Sequence, residues 1–228
     1  MLRIAAVLSS LLLLAACNWS DSGPAIKGSG NLLTETRQVE NFTAIVVSAL
    51  ANLEIEQTGE EGLELTSDDN FLPLYTTEVR NGTLYIGVAE GKRLTWSWND
   101  NVPRITRIKV TVRDLRELTI SGAVRIKATQ INTDSLSITI SGSASGSFAG
   151  RSDNLSITVS GAGSLDAADL RAKRATIVVS GAGEVTVNAN DELDAQASGV
   201  GTIWYVGSPK LQSKVSGAGS VKQKSITH

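Results

Sequence analysis

Residues 155–163 read LSITVSGAG, residues 175–183 read ATIVVSGAG, and the Ser-Gly-Ala-Gly of both returns at 216–219. Looser copies, SGAV, SGSA and SGVG, begin at Ser121, Ser141 and Ser198. From serine to serine the six copies are 20, 19, 20, 18 and 18 residues apart. A period near twenty marks a stack of repeated units. The positions five, three and one before each serine are mostly apolar, as in Leu136, Ile138, Ile140 and in Leu155, Ile157, Val159. The alternation resumes three, five and seven residues after it, as in Val124, Ile126, Ala128. Runs of period two are strands that bury one face. Each repeat then has a few residues left to return the chain, with Ile131, Leu170 or Val206 available to point inward.

Such a repeat is too short for a strand, a crossover helix and a second strand. It suits one turn of a parallel β-helix, in which each coil lies about 4.8 Å from the next. The expected fold is all-β, a right-handed parallel β-helix with 18–20-residue coils over about 114–224. Equivalent corners stack in such a solenoid. Gly122, Gly142, Gly161, Gly181, Gly199 and Gly217 therefore stand where a side chain would strain the backbone or hold successive coils apart. The serines before them, Ser121, Ser141, Ser160, Ser180, Ser198 and Ser216, form a structural column placed for a hydroxyl ladder. They are not read as nucleophiles: no base is positioned beside them, and the one histidine, His228, is the last residue.

A seventh copy, lacking the glycine, lies near the front. There TAIVVSALANLEI (43–55) puts Thr43, Ile45 and Val47 before Ser48, and Ala51, Leu53 and Ile55 after it. Between Ser48 and Ser121 the alternation reappears at Leu84, Ile86, Val88 and at Ile108, Val110, Val112, and Asn81-Gly82 is a hairpin signal. This segment is an irregular, partly antiparallel excursion packed on the solenoid, and residues 31–228 make one β-helix domain. Only 4% of the chain is aromatic while 21 residues are glycine, a mixture that favours small stacked units over a core of large rings. The formal net charge of -2 provides no basic field and excludes a nucleic-acid partner.

The chain opens with MLRIAAVLSSLLLLAAC, in which Arg3 precedes an apolar run from Ile4 to Ala16 broken only by Ser9 and Ser10. That pattern is a secretory signal. A membrane-spanning helix needs about 20 apolar residues, more than this run has. Leu14-Ala15-Ala16-Cys17 resembles the lipobox of bacterial lipoproteins. The resemblance implies a signal peptide over 1–16, cleavage before Cys17, acylation of that cysteine (palmitate among the chains) and a membrane partner reached through the lipid. An ordinary signal peptide would instead leave Cys17 as an unpaired thiol in an exported protein, a liability. Asn18, in place of the aspartate that marks inner-membrane retention, favours the outer membrane. Residues 17–30, rich in Gly, Ser, Pro and Asp, are expected to be a lipidated flexible tether.

Three stretches carry a further resemblance: GSGNLLTETRQVENFTAIVVSALANLEIEQ (28–57), DDNFLPLYTTEVRNGTLYIGV (68–88) and the serial SGAG corners. Together they are similar to a family of bacterial exported proteins, the putative auto-transporter adhesin head or GIN domains. The resemblance implies a β-helix-rich, secreted or lipid-anchored envelope protein with adhesion as its conjectured role. It brings no catalytic or binding residue.

β-Helices also include polysaccharide lyases, which need a walled cleft and converging acids. The near-constant repeat length leaves no room for walls on the rear coils, so a catalytic site would have to sit on the excursion. SDDN (67–70) reads as a turn, since the recurrent acids of a calcium loop are missing. In LTWSWND (94–100), Leu94, Trp96 and Trp98 share one strand face. Paired indoles there either cap the core or form a ligand platform for sugar rings or a membrane interface. Trp204 is a lesser candidate of the same kind. One terminal histidine, one cysteine and no clustered ligands give no metal site, and nothing calls for a cofactor. The sequence thus leads to a non-catalytic, lipid-anchored envelope protein that presents a rigid face to an envelope glycan or protein, or acts as a spacer. Two alternatives remain: a carbohydrate-active enzyme, and a self-assembling module in which an uncapped end adds another coil as a homo-oligomer.

Overall fold

The computed structural model describes residues 24–96 and 105–224, together with the backbone of two short strands between them, Trp98–Asn99 and Val102–Pro103. The leader, Cys17 and His228 lie outside the described residues. Four long strands, Ala123–Ile140, Ser143–Val159, Ala162–Val179 and Ala182–Gly199, stack in parallel, each pairing with the next along most of its length. The protein is a β-solenoid. Each long strand runs from one Ser-Gly corner to the next, so the return segments pair between coils as well. Register shifts between Ala128 and Ile131, Ser147 and Ala149, and Ala167 and Arg171 mark where the coils bend.

Alternation in the sequence becomes columns in the interior. Leu136, Leu155, Ala175 and Leu193 are in register, as are Ile138, Ile157, Ile177 and Ala195, and all are buried. Burying a full aliphatic side chain contributes about 1.5–3 kcal/mol, so each rung adds several such terms along with its backbone ladder. Ile131, Leu170 and Val206 point inward on the return side and are buried.

The front copy stacks as a true coil. Ala44–Val47 pairs in parallel with Glu117–Ile120, and residues 50–56 with 123–129. The excursion is inserted between these two neighbouring coils in sequence, yet in space it extends the stack from below. Thr83–Val88 runs parallel under Ala44–Val47, and Arg107–Val112 parallel under residues 52–57, so the two supply one more rung out of chain order. Antiparallel strands close that end. Tyr75–Arg80 folds back on Thr83–Val88 through Asn81 and Gly82, both at positive φ (49° and 75°) as a primed two-residue turn requires. Gly62–Asp68 pairs with Arg107–Val112 and then with Leu32–Arg37.

The tether expected over 17–30 is corrected at its C-terminal end. Ala25–Lys27 pairs in parallel with Arg93–Thr95, and residues 67–70 clasp the segment that follows. The Ser29 amide donates to Asn70 Oδ1 at 3.0 Å, Asn70 Nδ2 to the Lys27 carbonyl at 2.9 Å, and the Gly30 amide to Asp68 Oδ1 at 3.2 Å. The physical cause is Asp68, only 2% exposed, whose carboxylate needs donors that this backbone provides. SDDN is therefore a turn whose side chains hold the entering chain.

Candidate functional site

Within the described residues the sequence offers two candidate groups, the corner column and the tryptophans, and the structure adds a third surface. The corner column is a packing device. A Cβ on Gly122 would lie 2.1 Å from the Ala49 carbonyl oxygen, on Gly142 2.2 Å from that of Gly122, on Gly161 2.0 Å from that of Gly142, and on Gly181 2.0 Å from that of Gly161. Close approach of coil on coil is thus what requires glycine at these four. Positive φ adds to the requirement only at Gly199 (134°) and Gly217 (84°). The serine hydroxyls point to solvent without a ladder. Contact across coils comes from the serine amides instead, as from Ser160 to the Ile140 carbonyl at 2.8 Å and from Ser180 to that of Val159 at 2.9 Å.

Trp96 does not stand free on the surface. Its ring meets Phe71 edge to face, with centroids 5.7 Å apart at 77°, and Phe71 is fully buried. Its Nε1 is buried without a hydrogen-bond partner among the described residues. Such an orphaned donor belongs to a ring held by packing rather than by polar recognition. The side chain of Trp98 lies outside the described residues. Trp204 is partly exposed, with the Lys222 ammonium 5.5 Å from its ring centroid.

The third surface was not singled out from the sequence. Along the return side, outward positions line up over successive coils: Ser135, Asn154, Arg174, Glu192 and Lys210 in one column. Asn132, Arg151, Arg171 and Asn188 make another. Beside the first column lies an open groove of about 650 Å³, lined in part by Arg116, Ser137, Asn154, Arg174 and Asp194. Arg174 Nε donates to Asn154 Oδ1 at 3.0 Å, and Asn154 Nδ2 donates to the Asp134 carbonyl at 3.1 Å, so one coil's side chain holds the next. In the second column Arg151 Nε donates to Asn132 Oδ1 at 2.7 Å, while Arg171 stands next to Arg151 with its charge toward solvent. Two guanidinium groups on adjacent strands repel unless an anion or polar ligand bridges them. Nearby, Lys173 lies 2.8 Å from Asp153 and holds that carboxyl below its usual value. The signal that could have found these columns was the residue at a fixed offset before each corner. For the first column it is the residue six before the corner, polar in the five repeats from Ser141 on but of no constant type and replaced by Leu115 before Ser121. The second column lies nine residues before three corners and ten before Ser198.

Chemically this surface offers donors and acceptors at rung spacing on a stiff backing. Among the described residues no group of three or more His, Cys, Asp or Glu side chains could hold a metal ion. The fold is a β-solenoid whose return side carries two outward polar columns in register. The chain belongs to the family described as "Putative auto-transporter adhesin, head GIN domain", whose pattern matches residues 41–209. A "putative adhesin" from Bacteroides fragilis is similar in structure, with a TM-score of 0.65 and 22% identity over 87% of this chain and 100% of that one. Another "putative adhesin", from Parabacteroides distasonis, has a TM-score of 0.55 and 20% identity over 88% and 100% of the two chains. A protein of the same organism described as a "putative lipid binding protein" has a TM-score of 0.53 and 25% identity over 89% and 100%. No curated protein matches the chain. An adhesin family suggests an exported protein of the cell envelope.

Proposed function

We propose that the protein is a lipid-anchored, non-catalytic envelope adhesin, held at the outer membrane through Cys17, whose return face binds an extended envelope glycan. The observation that carries this reading is the pair of outward columns, Ser135 to Lys210 and Asn132 to Asn188, repeated over four or five coils. Amide, hydroxyl and guanidinium groups at a spacing of about 4.8 Å match a chain of sugar hydroxyls and carboxylates better than a compact small molecule. The open groove beside the second column is walled by Arg151, Asp153, Arg171 and Lys173, which favours a solvated polar chain over an acyl chain. A rigid scaffold with donors already in place lowers the ordering cost of such binding.

Two measurements test the reading. Labelled palmitate should be incorporated into the wild type and not into Cys17→Ser, which should leave the membrane fraction or stay unprocessed. Absence of label from the wild type would remove the anchor. On arrays of envelope glycans, Asn154→Ala with Arg174→Ala should lose retention while unfolding like the wild type. Unchanged retention would remove the return face as the site.

A further inference from the structure

The two ends of the solenoid are finished differently. At the front, the outermost strands are Leu32–Arg37 and Tyr75–Arg80, and the first turns charge inward over the core. Arg37 forms an ion pair with Glu35 at 3.0 Å and donates to the carbonyls of Leu72 and Tyr75, both at 2.7 Å, and to Thr77 Oγ1 at 3.1 Å. Inward charge of this kind blunts a sheet edge against further pairing.

At the other end nothing comparable is present among the described residues. Among the described residues, Lys210–Gly217 pairs only with residues 192–199 of the preceding coil, and Ser220–Gln223 only with residues 202–205. Among the described residues the outer edges of these two strands carry backbone groups with no ladder partner. Every residue of Lys210–Gly217 is exposed. The column through Leu155, Ala175 and Leu193 ends at Leu211, 38% exposed, and that through Val159, Val179 and Ala197 ends at Val215, 48% exposed. On the outward side of the same strand stand Lys210 and Lys214, with Lys222 and Lys224 beyond them, and no Asp or Glu follows Asp194 in the chain.

We propose that this end is a strand-accepting edge, and that its occupant is an extended, acidic segment of a partner protein that adds as the next rung. Main-chain hydrogen bonds would continue the ladder, apolar residues would cover Leu211 and Val215, and carboxylates would stand opposite Lys210 and Lys214. Charge complementarity selects this occupant. A second copy joined end to end through the same coil would bring four lysines of each chain together with no acid between them on that coil. A second copy joined by its front end would lay Leu211 and Val215 on a face that carries the Glu35–Arg37 ion pair beside Leu33. The lysines thus act as a filter on an otherwise open edge, repelling basic strands and favouring acidic ones. The edge lies at the end of the rod and meets the first glycan column only at Lys210, whereas Leu211, Lys214 and Val215, which the test changes, lie outside both columns.

The test uses the intact protein and fluorescein-labelled peptides of sequence TVESTVET, with its reverse TEVTSEVT for the opposite strand direction, followed by fluorescence anisotropy. One acidic peptide should bind at least about tenfold more tightly than its lysine counterpart, TVKSTVKT or its reverse, and lose that margin at high salt. Lys214→Glu should remove the preference, and Leu211→Lys with Val215→Lys should abolish binding while leaving far-ultraviolet circular dichroism unchanged. N-methylation of alternate peptide amides should also abolish binding, because a strand needs those donors. Equal binding of acidic and lysine peptides, binding indifferent to N-methylation, or full binding by the double variant would overturn the proposal. So would a concentration-dependent dimer in sedimentation velocity that survives the acidic peptide, since a second copy would then cover the edge.

Discussion

Gly161→Ala is the sharpest test of what holds the coils together. A methyl group there would lie 2.0 Å from the Gly142 carbonyl oxygen and 2.7 Å from that of Ser141. Comfortable carbon to oxygen contacts begin near 3.3 Å, so the coils would have to part by about 1.3 Å at this corner. Two hydrogen bonds cross at that point, from the Ala162 amide to the Gly142 carbonyl at 3.1 Å and from the Ser160 amide to the Ile140 carbonyl at 2.8 Å. Losing or stretching both costs about 1–3 kcal/mol, and forcing a group into packed space adds about 1–3 kcal/mol. The stiffer unfolded chain of alanine returns about 0.4–1 kcal/mol. The expected net destabilisation is roughly 2–5 kcal/mol, read as a fall of about 1–2 M in the urea midpoint at constant slope. Two controls separate the causes. Gly163→Ala meets its nearest oxygen at 3.2 Å and should change stability by less than about 0.5 kcal/mol. Gly30→Ala meets no atom within 4 Å but sits at a φ of 87°, and should cost about 1–2 kcal/mol through backbone strain alone. If Gly161→Ala shifts the midpoint no more than Gly163→Ala does, the corners are not in the close contact that the stacking argument requires.

Three further outcomes follow from the geometry. Trp96→Ala should destabilise by about 2–4 kcal/mol through loss of the Phe71 contact, whereas Trp96→Phe should stay within about 1 kcal/mol because the indole N–H has no partner among the described residues to lose; thermal unfolding of both variants checks this. Arg37→Met should cost about 2–4 kcal/mol in a denaturant titration, since it strips the carbonyls of Leu72 and Tyr75 of a charged donor while keeping the length of the side chain. The Ser29 hydroxyl holds the Asp69 carboxyl below its ordinary value of 3.8. A lowered folded-state pKa gives stability that is present above the unfolded value and lost as pH falls through the folded one. Hydrogen exchange of residues 25–31 should therefore quicken, relative to intrinsic rates, only below about pH 4, and Ser29→Ala should weaken that acid dependence.

Much of the solenoid was legible because its information is local and repeated. Period-two alternation before and after Ser121, Ser141, Ser160 and Ser180 assigns the inward face, and the twenty-residue spacing fixes how many residues close a coil. The turn at Asn81-Gly82 was legible for the same reason, since positive φ at two successive positions is a local demand. The leader and Cys17 rest on the sequence alone. Other features depend on residues distant in the chain. Ala25–Lys27 looks like tether until Arg93–Thr95 and the 67–70 turn lie beside it. The excursion alternates like ordinary strands, and only the folded chain sets Thr83–Val88 and Arg107–Val112 under the first coil as a rung out of order. The corner glycines show the division at a single position. The repeat says that no side chain belongs at Gly161, but whether φ or crowding forbids it is decided by the Gly142 carbonyl of the coil below. The outward columns and the open end are tertiary in the same sense. Asn154 and Arg174 are twenty residues apart and of different types, so they become one surface only when the coils set them in register. Leu211 alternates as its predecessors do, yet remains exposed because no further coil follows it among the described residues.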